Sequence, residues 1–274
     1  MAWHITDSVD EFLAGAGDFL RTRPVENTVL LTVTDTLKQR GSHIYGDGKP
    51  VFGWCPEGAF LRTPPRGALL SDMPPAAAAE LAVSLAGTDL PAVAGPDAVA
   101  EAFAAEWQRL TGVTPKVAGH HRLYRLDKLT PPDPPAPGAG RIAGTHDRDL
   151  LVRWMTNFHR EIGEDPRGSD RLVDDKLADG NLLLWEEAGR PVSMAGKTQP
   201  VAGMVRVLAV YTPPEHRARG YAGAATAAVT RAALDAGATD VVLFTEVDNP
   251  TSNALYQRLG YTPIEDRRTV EFPS

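Results

Sequence analysis

The chain has 274 residues, 43% of them hydrophobic and 23% charged, the composition of a globular protein with room for two domains of ordinary size. With 28 basic against 35 acidic residues its formal net charge is −7, which argues against general nucleic-acid binding and suits a cationic or amine-bearing substrate. No apolar run reaches the length of about 18 residues that a membrane-spanning helix needs. The opening Met1-Ala2-Trp3-His4 lacks the basic and apolar regions of a secretory signal. The single cysteine, Cys55, excludes an internal disulfide and fits a reducing cytoplasm. The histidines have no metal-like spacing, so no metal is expected.

In chain order, Ser8-Val9-Asp10-Glu11 opens a helix with a capping-box pattern, and a second helical pattern runs from about Glu26 to Gln39. Residues 51–54, 59–63 and 68–71 read as strands joined by glycine-rich turns. Helices are expected around 74–86 and 96–110, then a strand at 121–126, the whole following an α-α-β-β-β-α-β-α-β order. Pro131, Pro132, Pro134, Pro135 and Pro137 cannot continue a helix or a ladder, so 130–140 reads as a stiff linker between domains 1–129 and 141–274.

Beyond it, Arg141 starts a strand and Thr145 caps a helix through about Phe158, with Leu150, Leu151, Trp154 and Phe158 on one side. A short helix follows near 171–178, then a hairpin of 182–185 and 191–196. The strand 205–212 leads into a helix over 220–236, on which Ala222, Ala225, Val229, Ala232 and Ala236 form one face against the sheet. A strand at 240–246, a short helix carrying Tyr256 and a last strand near 270–272 complete the order.

Residues 208–223 carry the most chemistry. The strand stops at Pro213-Pro214, a basic turn follows, and the long helix begins near Gly220. This puts unpaired N–H groups, two arginines and the positive end of a helix dipole at one point, which suits phosphate. The turn lacks the Lys-Ser/Thr of a P-loop and the three spaced glycines of a dinucleotide fingerprint. What it has is Arg217-x-x-Gly220-x-Ala222, in which Gly220 allows close backbone approach to a ligand.

A second segment, Asn249-Pro-Thr-Ser252-Asn-Ala-Leu255-Tyr256-Gln-Arg-Leu259-Gly260-Tyr261, has its own local logic. Ser252 or Thr251 can cap a helix that Gly260 ends in a left-handed conformation. Leu255 and Leu259 share its buried face, with Tyr256 at the margin. Together the two segments resemble the signatures of the GNAT superfamily of acyl-CoA-dependent N-acyltransferases. The resemblance covers about residues 141–272, and the whole chain is similar to tandem-GNAT proteins of high-GC actinobacteria. It implies an α/β fold of two GNAT-like domains, each a splayed, mostly antiparallel mixed sheet flanked by helices. The first half goes from strand to helix through Ser71-Asp72-Met73-Pro74 with no phosphate loop, and is expected to be degenerate and unable to bind coenzyme A.

The resemblance also implies acetyl transfer from acetyl-CoA to an amine. Pantetheine would pair with Val210, Tyr211 and Thr212 between splayed strands ending at Thr212 and Glu246, and an N–H there would hold the thioester oxygen. The pyrophosphate would rest on the amides of Arg217, Ala218, Arg219, Gly220, Tyr221, Ala222 and Gly223, with Arg217 or Arg219 touching phosphate directly, and Asn249 resembles the family residue that hydrogen-bonds the pantetheine arm or adjacent backbone. Tyr256 resembles the family's frequent general acid, with an ordinary phenol pKa near ~10; alternatively it is an aromatic lid on the core. Glu161 and Glu246 are candidate general bases, as is ordered water, whereas Glu215 reads as a solvated turn residue. The expected acceptor is a small-molecule, amino-acid or peptide amine, with no nucleic acid or membrane partner, and the protein a monomer or homodimer. A non-catalytic acyl-CoA sensor and a longer-chain acyl donor are the competing readings.

Overall fold

The computed structural model describes residues 2–46 and 48–273. In chain order the first elements are β1 (His4–Thr6), α1 (Val9–Thr22), α2 (Thr28–Arg40), β2 (Val51–Cys55), β3 (Gly58–Arg62), β4 (Ala68–Leu70), α3 (Pro75–Leu85), β5 (Ala92–Pro96), α4 (Asp97–Thr111) and β6 (Lys116–Leu126). They are followed by β7 (Ala139–Ile142), α5 (Arg148–Glu161), α6 (Ser169–Ala178), β8 (Leu182–Glu187), β9 (Arg190–Lys197), β10 (Met204–Tyr211), α7 (Tyr221–Asp235), β11 (Asp240–Glu246), α8 (Pro250–Arg258) and β12 (Tyr261–Glu271). No helix among the described residues is long and apolar enough to cross a membrane.

The chain forms two compact units. One contains residues 1–123, 245–249 and 263–274; the other contains 124–244 and 250–262. In the first, β1, β2, β3 and β4 pair antiparallel in order, β4 pairs parallel with β5, and β5 pairs antiparallel with the end of β12. Phe60, Leu70, Leu81, Phe103, Trp107 and Phe272 anchor its core. The β4–β5 pairing is confined to Ala68–Val93 and Leu69–Ala94. Just past it, the buried Arg267 guanidinium donates to the Leu70 carbonyl at 2.9 Å and to the Glu26 carbonyl at 2.7 Å.

In the second unit β7, β8, β9 and β10 pair antiparallel and β10 pairs parallel with β11. Strand alternation sends residues to two separate cores. Leu183, Ala195, Val205, Val207, Val241 and Leu243 face the side of α7 and α8. Leu182, Leu184 and Met194 face Leu151, Trp154 and Met155 of α5. Residues 130–138 do not stand free of this unit. Trp185 Nε1 donates to the Pro137 carbonyl at 2.9 Å, and side chains at Pro132 and Ala136 lie against α7 near Gly223 and Gly220.

Several local expectations need correction. Thr145 does not cap α5: residues 145–147 form a 3-10 turn, and Asp147 accepts the Gly144 amide at 2.8 Å while Arg141 grips its carboxylate. Glu11 supplies no reciprocal half of a capping box, because its carboxylate bonds Thr6 and His4 instead. Helix α8 begins at Pro250, favourable at a first helical position, so Thr251 and Ser252 lie inside its first turn. On α7, Ala225 and Val229 are buried, but Ala222 and Ala232 are half-buried and Ala236 is exposed. The helix is instead enclosed around Gly223–Ala227, where it meets both the sheet and α8. The last strand begins at Tyr261 rather than near 270.

Candidate active site

The site grows from two irregularities in β10. The parallel ladder with β11 covers only Met204–Asp240, Val205–Val241 and Arg206–Val242. Val207–Tyr211 therefore continue without ladder partners in β11, as do Leu243 and Phe244 without partners in β10. On its other edge β10 carries a bulge. Leu208 pairs with Gly196 and Tyr211 with Met194, three residues against two, and Ala209 takes a left-handed φ of 50°.

That one extra residue reverses the alternation. Val207 faces the α7 core, Leu208 and Ala209 both face the α5 core, Val210 returns to the α7 side and Tyr211 points to α5. A regular strand would have sent Tyr211 to the opposite face. Ser193 of β9, fully buried, braces the distorted end: its hydroxyl donates to the Tyr211 carbonyl at 3.0 Å and lies 2.8 Å from the Thr212 hydroxyl. Nothing in the strand's composition announced this bulge. Alanine in a strand interior is the one faint signal.

The turn after β10 exposes backbone donors. Ala218 has φ 60° and Gly220 φ 82° where the chain enters α7. Gly220 occupies the N-cap of α7 and no side chain caps it; the first helical bond runs from the Ala224 amide to the Gly220 carbonyl at 3.0 Å. Among the described residues, the amides of 218–223 donate no hydrogen bond. Consecutive orphan N–H groups at the positive end of a 15-residue helix have the character of an oxyanion or phosphate cradle. The first turn is steadied from the side by Tyr221, whose buried ring carries a hydroxyl donating to Glu187. That hydrogen bond, together with burial, pushes the Tyr221 phenol up. These donors fit a pyrophosphate, and the unpaired strand edges fit an amide-bearing arm such as pantetheine.

Arg217 is occupied in this state. Its Nη2 donates to both Glu161 oxygens at 2.8 and 2.6 Å, and its Nε donates to the Thr212 carbonyl at 2.9 Å. The guanidinium also stands 6.0 Å from the Tyr211 ring centroid, and Trp154 packs 6.2 Å from the same ring. Burial, then the Glu161 charge, pushes the Tyr211 phenol up. The structure thus brings Glu161, Tyr211, Thr212 and Arg217 together. Trp154 belongs to the same group, and the sequence had shown it only as a core residue.

Tyr256 is not at the margin of the α8 stripe, as its angular position suggested. It is 8% exposed, whereas Leu255 is only half-buried, because Tyr124 and Tyr261 close over it with ring centroids 6.5 and 6.2 Å away. Nor is its phenol ordinary: burial pushes it up to about 12. The Tyr256 hydroxyl makes no hydrogen bond among the described residues. Tyr124, from the first half of the sequence, donates to Asn253 Oδ1 at 2.7 Å and so ties down α8.

Glu246 and Asn249 belong to the other compact unit. There Glu246 pairs with His121 Nε2 at 2.8 Å, and the Asn249 amide donates to the Glu246 carbonyl at 3.2 Å.

Comparison with known proteins agrees with this architecture. Residues 148–261 match the model of the Acetyltransferase (GNAT) family. Among solved structures, the whole chain is similar to a protein of Drosophila, at 16% identity and TM-score 0.69, covering 99% of this chain and 98% of that one. It is similar to a GCN5-related N-acetyltransferase from Sphaerobacter thermophilus, at 15% identity and TM-score 0.62, covering 99% and 96%. It is also similar to an acetyltransferase from the GNAT family from Colwellia psychrerythraea, at 13% identity and TM-score 0.60, covering 99% of each chain. At such identities the likeness is one of fold: a mixed α/β architecture shared with GNAT proteins. A search of curated proteins finds no match.

Proposed function

We propose that this protein is an acetyl-CoA-dependent N-acetyltransferase acting on a primary amine of a small molecule, an amino acid or a peptide. One observation carries the reading: the partnerless amides of 218–223 head α7 immediately after the strand that has parted from β11. Coenzyme A presents the two complementary parts, a pyrophosphate and an amide-bearing arm ending in an activated acetyl thioester. Residues 218–223 with Arg219 hold the first, and the backbone of Val210–Thr212 holds the second. An N–H of that segment stabilises negative charge as it grows on the thioester oxygen, a role that preorganised donors perform without reorganisation.

Tyr256 holds a proton at its Oη for the departing sulfur. Burial keeps the phenol protonated at neutral pH, and with no hydrogen-bond partner among the described residues the O–H is undirected. The same burial has a cost. A thiol titrates near ~8.5, so a phenol at about 12 is the weaker acid, and the positive charge gained by the attacking nitrogen has to draw it down. Glu161 and Glu246 are the candidate carriers of the amine's proton; Glu161 is held here by Arg217 and Glu246 by His121.

Residues 1–129 fit a second GNAT-like half without a coenzyme site, joined through 130–140 to a catalytic half at 141–274. Support comes from β4, which leads through Ser71-Asp72-Met73-Pro74 straight into α3, and from Arg267, whose guanidinium fills the point where β4 and β5 part. A non-catalytic acyl-CoA sensor is the second reading, favoured by the deep burial of Tyr256.

Calorimetry with acetyl-CoA on folded protein tests the first step, and saturable binding is expected. Free thiol is then followed with an amine panel: release supports catalysis, binding without release for any amine supports the sensor, and no binding removes both.

A further inference from the structure

Arg217 belongs by sequence to the anion-binding turn, yet its side chain is spent on a cation-binding group. Around its guanidinium stand the Glu161 carboxylate, the Thr212 carbonyl and the Tyr211 ring. Trp154 backs the ring, and Asn157 lies one turn further along α5. Trp154, Asn157 and Glu161 recur at helical spacing along one face of α5. A carboxylate, a carbonyl and an aromatic face are what an ammonium or guanidinium needs. The pair itself is accessible, with side-chain exposures of 47% for Arg217 and 43% for Glu161. Exposed pairs of this kind hold weakly, so exchange for another partner is easy.

We propose that Arg217 is an internal occupant of the acceptor's cation site. This rests on the acetyltransferase reading. Phosphate bound on the amides of 218–223 draws Arg217 off Glu161. The vacated carboxylate, ring and carbonyl then take a cationic group of the acceptor other than the nitrogen that reacts, which assigns Glu161 to binding and not to proton transfer. The acceptor class is therefore a diamine or a guanidino amine, and it binds after the coenzyme.

The test is binding calorimetry with unacetylated coenzyme A and 1,4-diaminobutane, a pair that cannot turn over. Coenzyme A is expected to bind Glu161→Gln about two- to fivefold more tightly than wild type, because Arg217 is no longer held back by a weak surface pair. Saturating coenzyme A is expected to tighten diamine binding to the wild type about tenfold or more, and Glu161→Gln to abolish that gain. Arg217→Ala is expected to bind the diamine without coenzyme A as well as the wild type does with it. If the wild type binds coenzyme A but diamine binding responds neither to it nor to either substitution, this inference is overturned and the acetyltransferase reading stands. If the wild type does not bind coenzyme A, the reading beneath it fails as well.

Discussion

Tyr256 and Tyr261 meet edge to face, 6.2 Å between ring centroids at 68°, and they differ in one respect that matters. The Tyr261 hydroxyl is bonded to Thr230 at 2.6 Å, whereas the Tyr256 hydroxyl has no partner among the described residues. Two buried phenols of the same cluster therefore have different uses: one fastens α7 to β12, the other keeps its proton unengaged.

Removing the Tyr256 hydroxyl breaks no hydrogen bond, so Tyr256→Phe is expected to fold with wild-type melting behaviour. If the phenol is the acid for the leaving thiolate, kcat falls by about 10²–10⁴ while coenzyme affinity is unchanged. Steady-state kinetics beside calorimetry measures both, and undiminished kcat rules the role out.

Burial of that phenol also ties stability to alkaline pH. The folded-state value of about 12 lies above the unfolded phenol's ~10, so the folded state holds its proton more tightly. The contribution is complete below pH ~10 and is lost as pH rises from ~10 towards ~12, by about 2–3 kcal/mol. Tyr261, pushed up as well by burial, adds to the same loss. Urea unfolding at several alkaline pH values should show a shallower decline for Tyr256→Phe than for wild type; equal slopes would contradict the assignment.

Gly220 stands at φ 82° with the nearest atom to an added Cβ, that of Ala136, at 3.4 Å. Space is adequate, so the penalty for Gly220→Ala is conformational, about 1–2 kcal/mol for an L-residue in the left-handed region. The new methyl group also stands at the entrance to α7, and weaker coenzyme binding is expected together with a lower Tm. A variant that keeps full affinity would detach this turn from the ligand.

In the first unit Arg267 is paired with Glu265 at 2.8 Å, and burial pushes the Glu265 carboxyl up. Arg267→Met strands that carboxylate and leaves the Leu70 carbonyl unsatisfied, at an expected cost of about 3–5 kcal/mol. Adding Glu265→Gln should return part of the loss, since the uncompensated charge disappears. Chemical denaturation of the single and double variants decides it: a double variant no better than the single one would place the damage in packing rather than charge.

Much of the architecture is legible in the sequence. Elements with local signals came out close to their observed limits: the hairpin at Ala188-Gly189, the helix of residues 221–235, the strand 240–246 and the left-handed end of α8 at Gly260. Capping was read less well: Thr145 and Ser252 are plausible caps by type, but Asp147 stands at the N-cap of α5 with its carboxylate turned back to Gly144, and α8 starts earlier. Strand β1 was missed and β12 was foreseen only at its end, since their partners, β2 and β5, lie far away in sequence.

The candidate site divides along the same line. By itself the sequence determined the phosphate-type turn and the tyrosine helix, because each is a local backbone pattern whose glycines, prolines and spacing admit few conformations. Only the tertiary structure decided where side chains point and what they meet. The bulge at Ala209 turned Tyr211 towards α5, the fold brought Glu161 against Arg217, and two other tyrosines closed over Tyr256 and raised its phenol. Those outcomes depend on register between strands and on burial by distant segments, and a linear pattern of residue types holds neither.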